Sequence, residues 1–317
     1  MKKNKYFFIT IDTEADNQWD SNHECTTNNA KFLPRFQELC EKYKFKPVWL
    51  TTHEMVENKY FVNYFKNKQD NNLCEIGMHL HAWNTPPEFD LKKINNERDY
   101  LIEYPEEIIR KKIEYLTNEL TEKFGIRPIS HRSGRWTTNK TYFKILMENG
   151  YKVDCSVTPN VSWETCIGST GMLGSNYKSY PSGCCHIYED LIEVPMSIKI
   201  IHDFQYDRIK NFKNFIGEFV RLLKGRVQWM RPDFNLNTKG MLDLIKKCDK
   251  YDEYIMFMIH SSELMPGGSP NFKTKEDIEK LYSIIEIVFK RLEELNYKGI
   301  TLRDYYENLK GENVLGK

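Results

Sequence analysis

The stretch KYFFITIDTEAD, residues 5–16, decides how the rest of the chain is read. From Tyr6 to Ile11 every residue is aromatic or β-branched, the composition of a short buried strand. The run ends at Asp12, with Glu14 and Asp16 close behind, so a buried strand delivers carboxylates at its C-terminal end. Similar runs recur: KPVWLTT (46–52), NLCEIGMHLH (72–81), RPISH (127–131), YKVDCSV (151–157), LIEVPMS (191–197), YIMFMIH (254–260) and KGITLRDY (298–305). Between them, residues 31–43, 54–67, 98–124, 138–149, 207–224, 239–250 and 274–295 carry helical periodicity. Alternation of this kind predicts βα units around a largely parallel sheet. Gly125 is suited to the C-terminal cap of the long helix, and Thr52 to the N-cap of the helix that follows it.

No internal repeat, low-complexity linker or domain boundary interrupts the pattern, so residues 1–317 are expected to form a single barrel-like α/β domain. Residues 158–190 differ from the rest. They are rich in Gly, Ser, Pro, Tyr and Trp and too long for a simple connector, and are expected at the catalytic mouth.

Bulk composition excludes several functions. The 46 basic and 45 acidic residues nearly balance, which argues against a nucleic-acid-binding surface. No stretch approaches the roughly 18 apolar residues of a membrane span, and the N-terminal apolar run is too short for a secretory signal. The eight cysteines show no CxxC or zinc-ribbon spacing and read as thiols in a reducing compartment, which predicts a cytoplasmic protein. The oligomeric state is not legible.

In parallel α/β folds the chemistry sits just after each strand, where successive loops converge. Five such ends carry ionisable residues: Asp12 and Glu14; His79 and His81; His131, Arg132 and Arg135; Asp154; and His260. One would be unremarkable, whereas five suggest a site. Side chains two apart on a strand point the same way, roughly 6–7 Å apart at Cα. His79 and His81 can therefore converge on one ion, and a carboxylate from the first strand completes a His₂–carboxylate face with positions left open for water. Zinc is the default divalent metal for this donor mixture, with cobalt or nickel chemically compatible. Asp16 leaves open which carboxylate does what. His53 reads as local structure, His131 as a structural or rim residue, and His23, His186 and His202 carry no spacing signal.

Taken in order, TIDTEAD, GMHLHAWNTPP, HRSGRW, YKVDCSVTP and FMIHSSELMPGGSP resemble the polysaccharide deacetylases with a NodB homology domain, carbohydrate esterase family 4. The flavour is that of the branch found in lipopolysaccharide and surface-polysaccharide biosynthesis, and the resemblance spans residues 5 to about 308. It implies a distorted (β/α)7 barrel and a divalent-metal-dependent hydrolase that removes N-acetyl groups from amino sugars or polysaccharides. By the same resemblance Asp12 is the catalytic base, Arg132 its partner, His260 the catalytic acid and Asp154 the residue that orients it. Glu14 and His79 are metal ligands. The sequence departs from the family in three places. Glu14 replaces an aspartate, and Trp83 stands where the second metal histidine is usual, leaving His81 as the natural substitute. Gly134 and Arg135 occupy the region of the arginine motif where a proline is usual. Trp83, Arg135, Trp136 and Trp163, with Tyr177 and Tyr180, are candidates for contact with a sugar. The alternatives are hydrolysis of another linear or cyclic amide, including a nucleotide-linked sugar, and a non-catalytic glycan-binding relative.

Overall fold

The computed structural model describes residues 4–20, 24–202, 212–233 and 236–311. Its strands are β1 (Tyr6–Thr13), β2 (Val48–Thr51), β3 (Glu75–Leu80), β4 (Ser130–Ser133), β5 (Val153–Asp154), β6 (His186–Tyr188), β7 (Leu191–Glu193), β8 (Ile198–Ile201), β9 (Arg226–Trp229), β10 (Tyr254–His260) and β11 (Lys298–Gly299). Its helices are α1 (Leu33–Lys42), α2 (His53–Val56), α3 (Lys59–Asp70), α4 (Glu106–Phe124), α5 (Lys140–Glu148), α6 (Phe212–Lys224), α7 (Thr238–Tyr251), α8 (Lys275–Glu294) and α9 (Leu302–Gly311).

Seven strands run parallel in the order β10–β1–β2–β3–β4–β5–β7, with β6 antiparallel at the edge and β11 paired to the start of β1. The sheet curls but stays open, giving a distorted (β/α)7 barrel. Along the seam the antiparallel ribbon β8–β9 abuts β10: Met258 N–H donates to Met230 O at 3.1 Å, and Met256 N–H to Ser197 Oγ at 2.9 Å.

Strand alternation sorts side chains into two cores. Phe8 of β1, Val48 and Leu50 of β2, and Met256 and Met258 of β10 fill the barrel interior. Phe7, Ile9 and Ile11, with Trp49, Met78 and Phe257, face the surrounding helices instead. Thr10, Asp12 and His260 share the interior parity of their strands, so the site grows directly out of the top of the inner core.

Three local expectations need correction. Residues 98–124 do not form one helix, because Pro105 separates a short turn at Leu101–Glu103 from α4. Gly125 ends α4 at φ 76°, a conformation that favours glycine. Thr52 stands at the N-terminus of α2 but does not cap it; its hydroxyl donates to Thr13 O at 3.1 Å. Within KGITLRDY only Lys298–Gly299 is strand, and Leu302 begins α9, packing its apolar face under the barrel with Tyr305. Residues 207–211 of the helix expected over 207–224 lie outside the described residues.

Candidate active site

β1 ends at Thr13, and the next residue is fixed by its backbone. Glu14 N–H donates to Ser261 Oγ at 3.0 Å, and Glu14 O accepts from Asn29 Nδ2 at 2.7 Å. Its carboxylate is thereby held over the mouth of the barrel, where β3 supplies His79 and the residue just past the strand supplies His81. The donor atoms of Glu14, His79 and His81 all lie within 4.8 Å of one another, and all three residues are buried. His81 Nε2 is 3.3 Å from Glu14 Oε2, and His79 Nε2 is 3.9 Å from it.

These residues fit a divalent ion. His79 Nδ1 lies 2.9 Å from Arg132 O, a backbone acceptor that requires the proton on Nδ1 and turns the Nε2 lone pair toward the cluster. Burial lowers its pKa to about 4, so the ring is neutral, as a ligand must be. His81 likewise turns Nε2 toward Glu14, while its buried Nδ1 has no hydrogen-bond partner among the described residues. Two imidazoles and one carboxylate match the donor set of an open catalytic site. This cluster supports binding of a divalent metal ion and, more generally, a metal-dependent hydrolase.

Asp16, the rival carboxylate, is occupied elsewhere. It accepts from Thr26 Oγ1 and from the backbone N–H groups of Asn28 and Asn29 at 2.7–3.0 Å, tying down the loop before α1.

Asp12 and Arg132 form a buried pair inside the barrel, 2.6 Å apart. Arg132 is fully buried and satisfied, donating also to Thr10 Oγ1 and Cys155 O, which is what makes an interior guanidinium tolerable. Burial alone would raise the Asp12 pKa, but Arg132, His79 and His260 outweigh it and hold it near about 2. Asp12 Oδ2, the oxygen not bonded to Arg132, lies 3.9 Å from His79 Nε2 and 4.0 Å from His260 Nε2.

His260 is not oriented by Asp154. Its Nδ1 lies 3.2 Å from Glu263 Oε2, and Glu263 in turn accepts from Arg231 at 3.0 Å. Burial opposes charge on His260, but Glu14 and Glu263 outweigh it and raise the pKa. Glu263 is itself held near about 2, since Arg231 and His260 overcome its burial.

The reason Asp154 cannot serve is strand parity. Asp154 pairs in register with His131, and both lie on the outer face, opposite the interior positions Val153 and Arg132. There His131 Nδ1 meets Asp154 Oδ1 at 2.5 Å and Nε2 meets Tyr142 OH at 2.8 Å, so His131 is structural. Glu193 completes this outer cluster. Its burial and the neighbouring Asp154 push its pKa well up.

The pocket above the cluster has a volume of ≈ 320 Å³. Trp83, Arg135, Trp136 and Trp163 all line it, as do five residues not expected from the sequence: Gln18, Trp19, Arg98, Ser133 and Arg231. Trp83, at the position of the usual second histidine, stacks on the His81 ring at 4.2 Å between centroids. Trp136 and Trp163 lie parallel, 6.5 Å apart. Tyr177 and Tyr180 do not line it: Tyr177 OH donates to Trp136 O, outside the loop, and Tyr180 OH meets Tyr188 OH. His53 pairs with Glu119 at 2.7 Å and is a local contact. Residues 158–190 bring Trp163 to the pocket while His186–Tyr188 extends the sheet edge.

The departure at HRSGRW has a steric reason. A Cβ on Gly134 would sit 2.6 Å from Leu80 O and 2.9 Å from His81 Cδ2, so only glycine lets this loop pass beneath the histidine. Arg135 and Trp136 then adopt φ of 56° and 60°. Two successive non-glycine residues in the left-handed region cost of order 1–3 kcal/mol each, strain that concentrates at working sites.

No family model and no curated protein matches the chain. Among solved structures it is similar to one described as a polysaccharide deacetylase from Mycobacterium smegmatis, at 11% identity and TM-score 0.50, covering 99% of this chain and 93% of that one. It is similar also to the allantoinase Puue, at 10% identity and TM-score 0.52, covering 97% and 90%. A GH57 branching enzyme from Thermococcus kodakaraensis aligns at 9% identity and TM-score 0.55, covering 95% and 70%. Likeness at these identities establishes a shared fold. The three names span different reactions, so the fold leaves the chemistry to the side chains of the site.

Proposed function

We propose that this chain is a metal-dependent N-deacetylase of the NodB-homology type, carbohydrate esterase family 4, acting on an N-acetylated amino sugar of a surface polysaccharide or its precursor. The observation that carries the reading is one pocket in which Asp12–Arg132 and His260–Glu263 flank the Glu14–His79–His81 cluster. A bound divalent ion, most simply zinc, would acidify water and polarise an amide carbonyl.

The chain's own residues then divide the proton work. Asp12, kept ionised by Arg132, presents Oδ2 to the pocket and accepts the proton of the attacking water there. A carboxylate near pKa 2 is a weak base, so it serves only a water already made acidic. His260, with Nδ1 tied to Glu263, keeps Nε2 toward the reacting centre and donates its proton to the departing amine.

The test is acetate release from N-acetylated amino sugars by the metal-loaded protein, and its loss on chelation. Full metal occupancy without acetate release from any acetylated sugar would favour hydrolysis of another amide instead.

The His260 assignment carries a pH prediction. A raised pKa means the imidazolium is present at low pH and lost as pH rises through that value, so activity should fall on the alkaline side. Glu263→Gln removes a charge that supports the imidazolium. Its alkaline limb should move to lower pH, with metal content unchanged. An unshifted limb in the rate–pH profile would detach Glu263 from His260's titration.

A further inference from the structure

We infer that the pocket binds a single N-acylated sugar unit bearing an anionic group, a phosphate or a carboxylate, held by Arg98 and Arg135. The inference rests on the deacetylase reading for the acyl end of the ligand and on these two side chains for the other.

The four arginines of the site fall into two kinds. Arg132 and Arg231 are matched by Asp12 and Glu263 at 2.6 and 3.0 Å. Arg98, half-buried in the pocket wall, makes no ion pair among the described residues; its guanidinium contacts the Gln18 side chain and lies 4.8 Å from the centre of the Trp83 ring. Arg135 has one carboxylate within reach, Glu97 at 3.9 Å, and Glu97 is exposed. Its other contacts are the backbone carbonyls of Arg98 and Ile167 and the face of Tyr100 at 4.3 Å.

Two guanidiniums side by side in a half-buried wall, one without an ion pair among the described residues and the other with only the exposed Glu97 at 3.9 Å, are unfavourable on their own, through lost hydration and mutual repulsion. An anion relieves both costs, and the planar guanidinium fork suits phosphate or carboxylate geometry. Arg135 and its neighbour Trp136, both lining the pocket, are also held at positive φ. Size sets the rest of the ligand. At ≈ 320 Å³ the pocket lies at the small end of the roughly 300–1,000 Å³ range for ligand sites, room for one ring and its substituent.

Calorimetric titration of the metal-loaded protein with N-acetylglucosamine 1-phosphate, an N-acetylated amino-sugar uronic acid and neutral N-acetylglucosamine tests this. At least one anionic sugar should bind roughly 10- to 100-fold more tightly than the neutral one, the scale of one or two charge-assisted hydrogen bonds. Which of the two is preferred distinguishes phosphate from carboxylate. Arg98→Met should erase most of the difference and Arg98→Lys less of it, with metal per chain as the control for folding. Equal affinity for neutral and anionic sugars, no binding of either anionic sugar, or an Arg98→Met effect that is the same for all three would overturn the inference. Acetate release from the same sugars separates the two readings. Arginine-dependent anion binding without acetate release keeps the anion site and rejects deacetylation; acetate release indifferent to charge and to Arg98 does the reverse.

Discussion

Glu14→Ala should purify with far less divalent metal than the parent chain, and hydrolysis should fall with the metal lost. Glu14 is the one anionic donor in a cluster otherwise made of two imidazoles, and changes even to outer partners of metal ligands cost about 10- to 100-fold in affinity. Loss of the ligand itself should exceed that. The chain path is secured independently, because Ser261 and Asn29 bind the Glu14 backbone rather than its carboxylate. Activity should therefore return partly with excess metal, which an unfolded variant could not do. Asp16→Ala is the matched comparison. Its carboxylate satisfies the hydroxyl of Thr26 and two backbone N–H groups, so its loss should lower the melting temperature without lowering metal per folded chain. Metal analysis of the two variants decides between the carboxylates: a full complement in Glu14→Ala would remove Glu14 from the site.

Much of this arrangement was legible from strand periodicity. An aromatic and β-branched run ending in Asp12, and a second run ending in His79 and His81, are enough to bring a carboxylate and two imidazoles to the same end of a parallel sheet. The same alternation puts Arg132 inside and His131 outside. Applied to Asp154 it has no purchase, because Val153 and Cys155 on either side are both fully buried and β5 is only two residues long. A carboxylate facing the helices is unexpected on hydrophobic grounds. It is tolerated there because His131, Ser156 and Glu193 bond it. The residue that does orient His260 left a faint local trace: Glu263 follows three positions later, and its carboxylate reaches back to the His260 N–H at 3.0 Å, as in a helix capping box. Arg231 left none. It follows the antiparallel ribbon at the open seam, outside the repeating parallel pattern, and only the docking of that ribbon against β10 brings it to the pocket.

His260→Ala should lose roughly 10² to 10⁴ in rate, the scale of general acid catalysis, while keeping its metal. The prediction follows from where the two ring nitrogens point. Nδ1 is engaged by Glu263 at 3.2 Å, and Nε2 lies 4.0 Å from Asp12 Oδ2, on the pocket side of the ring. His260 stands outside the group of donors that converge within 4.8 Å, so removing it takes away a proton donor and leaves the ligands in place. Trp19, which meets the His260 ring edge-on at 5.0 Å, would lose its neighbour, and the space opened at the pocket wall makes some weakening of substrate binding expected as well. The discriminating measurement is therefore kcat beside metal content. Retained kcat would reject the acid role, and loss of metal together with activity would make His260 a ligand. In either case His131 could not take its place, since that ring is fully buried on the other face of the sheet with both nitrogens committed to Asp154 and Tyr142. The acid would have to be a group that faces the pocket, and the amine would have to leave by protonation from water or from Asp12 after it has received a proton.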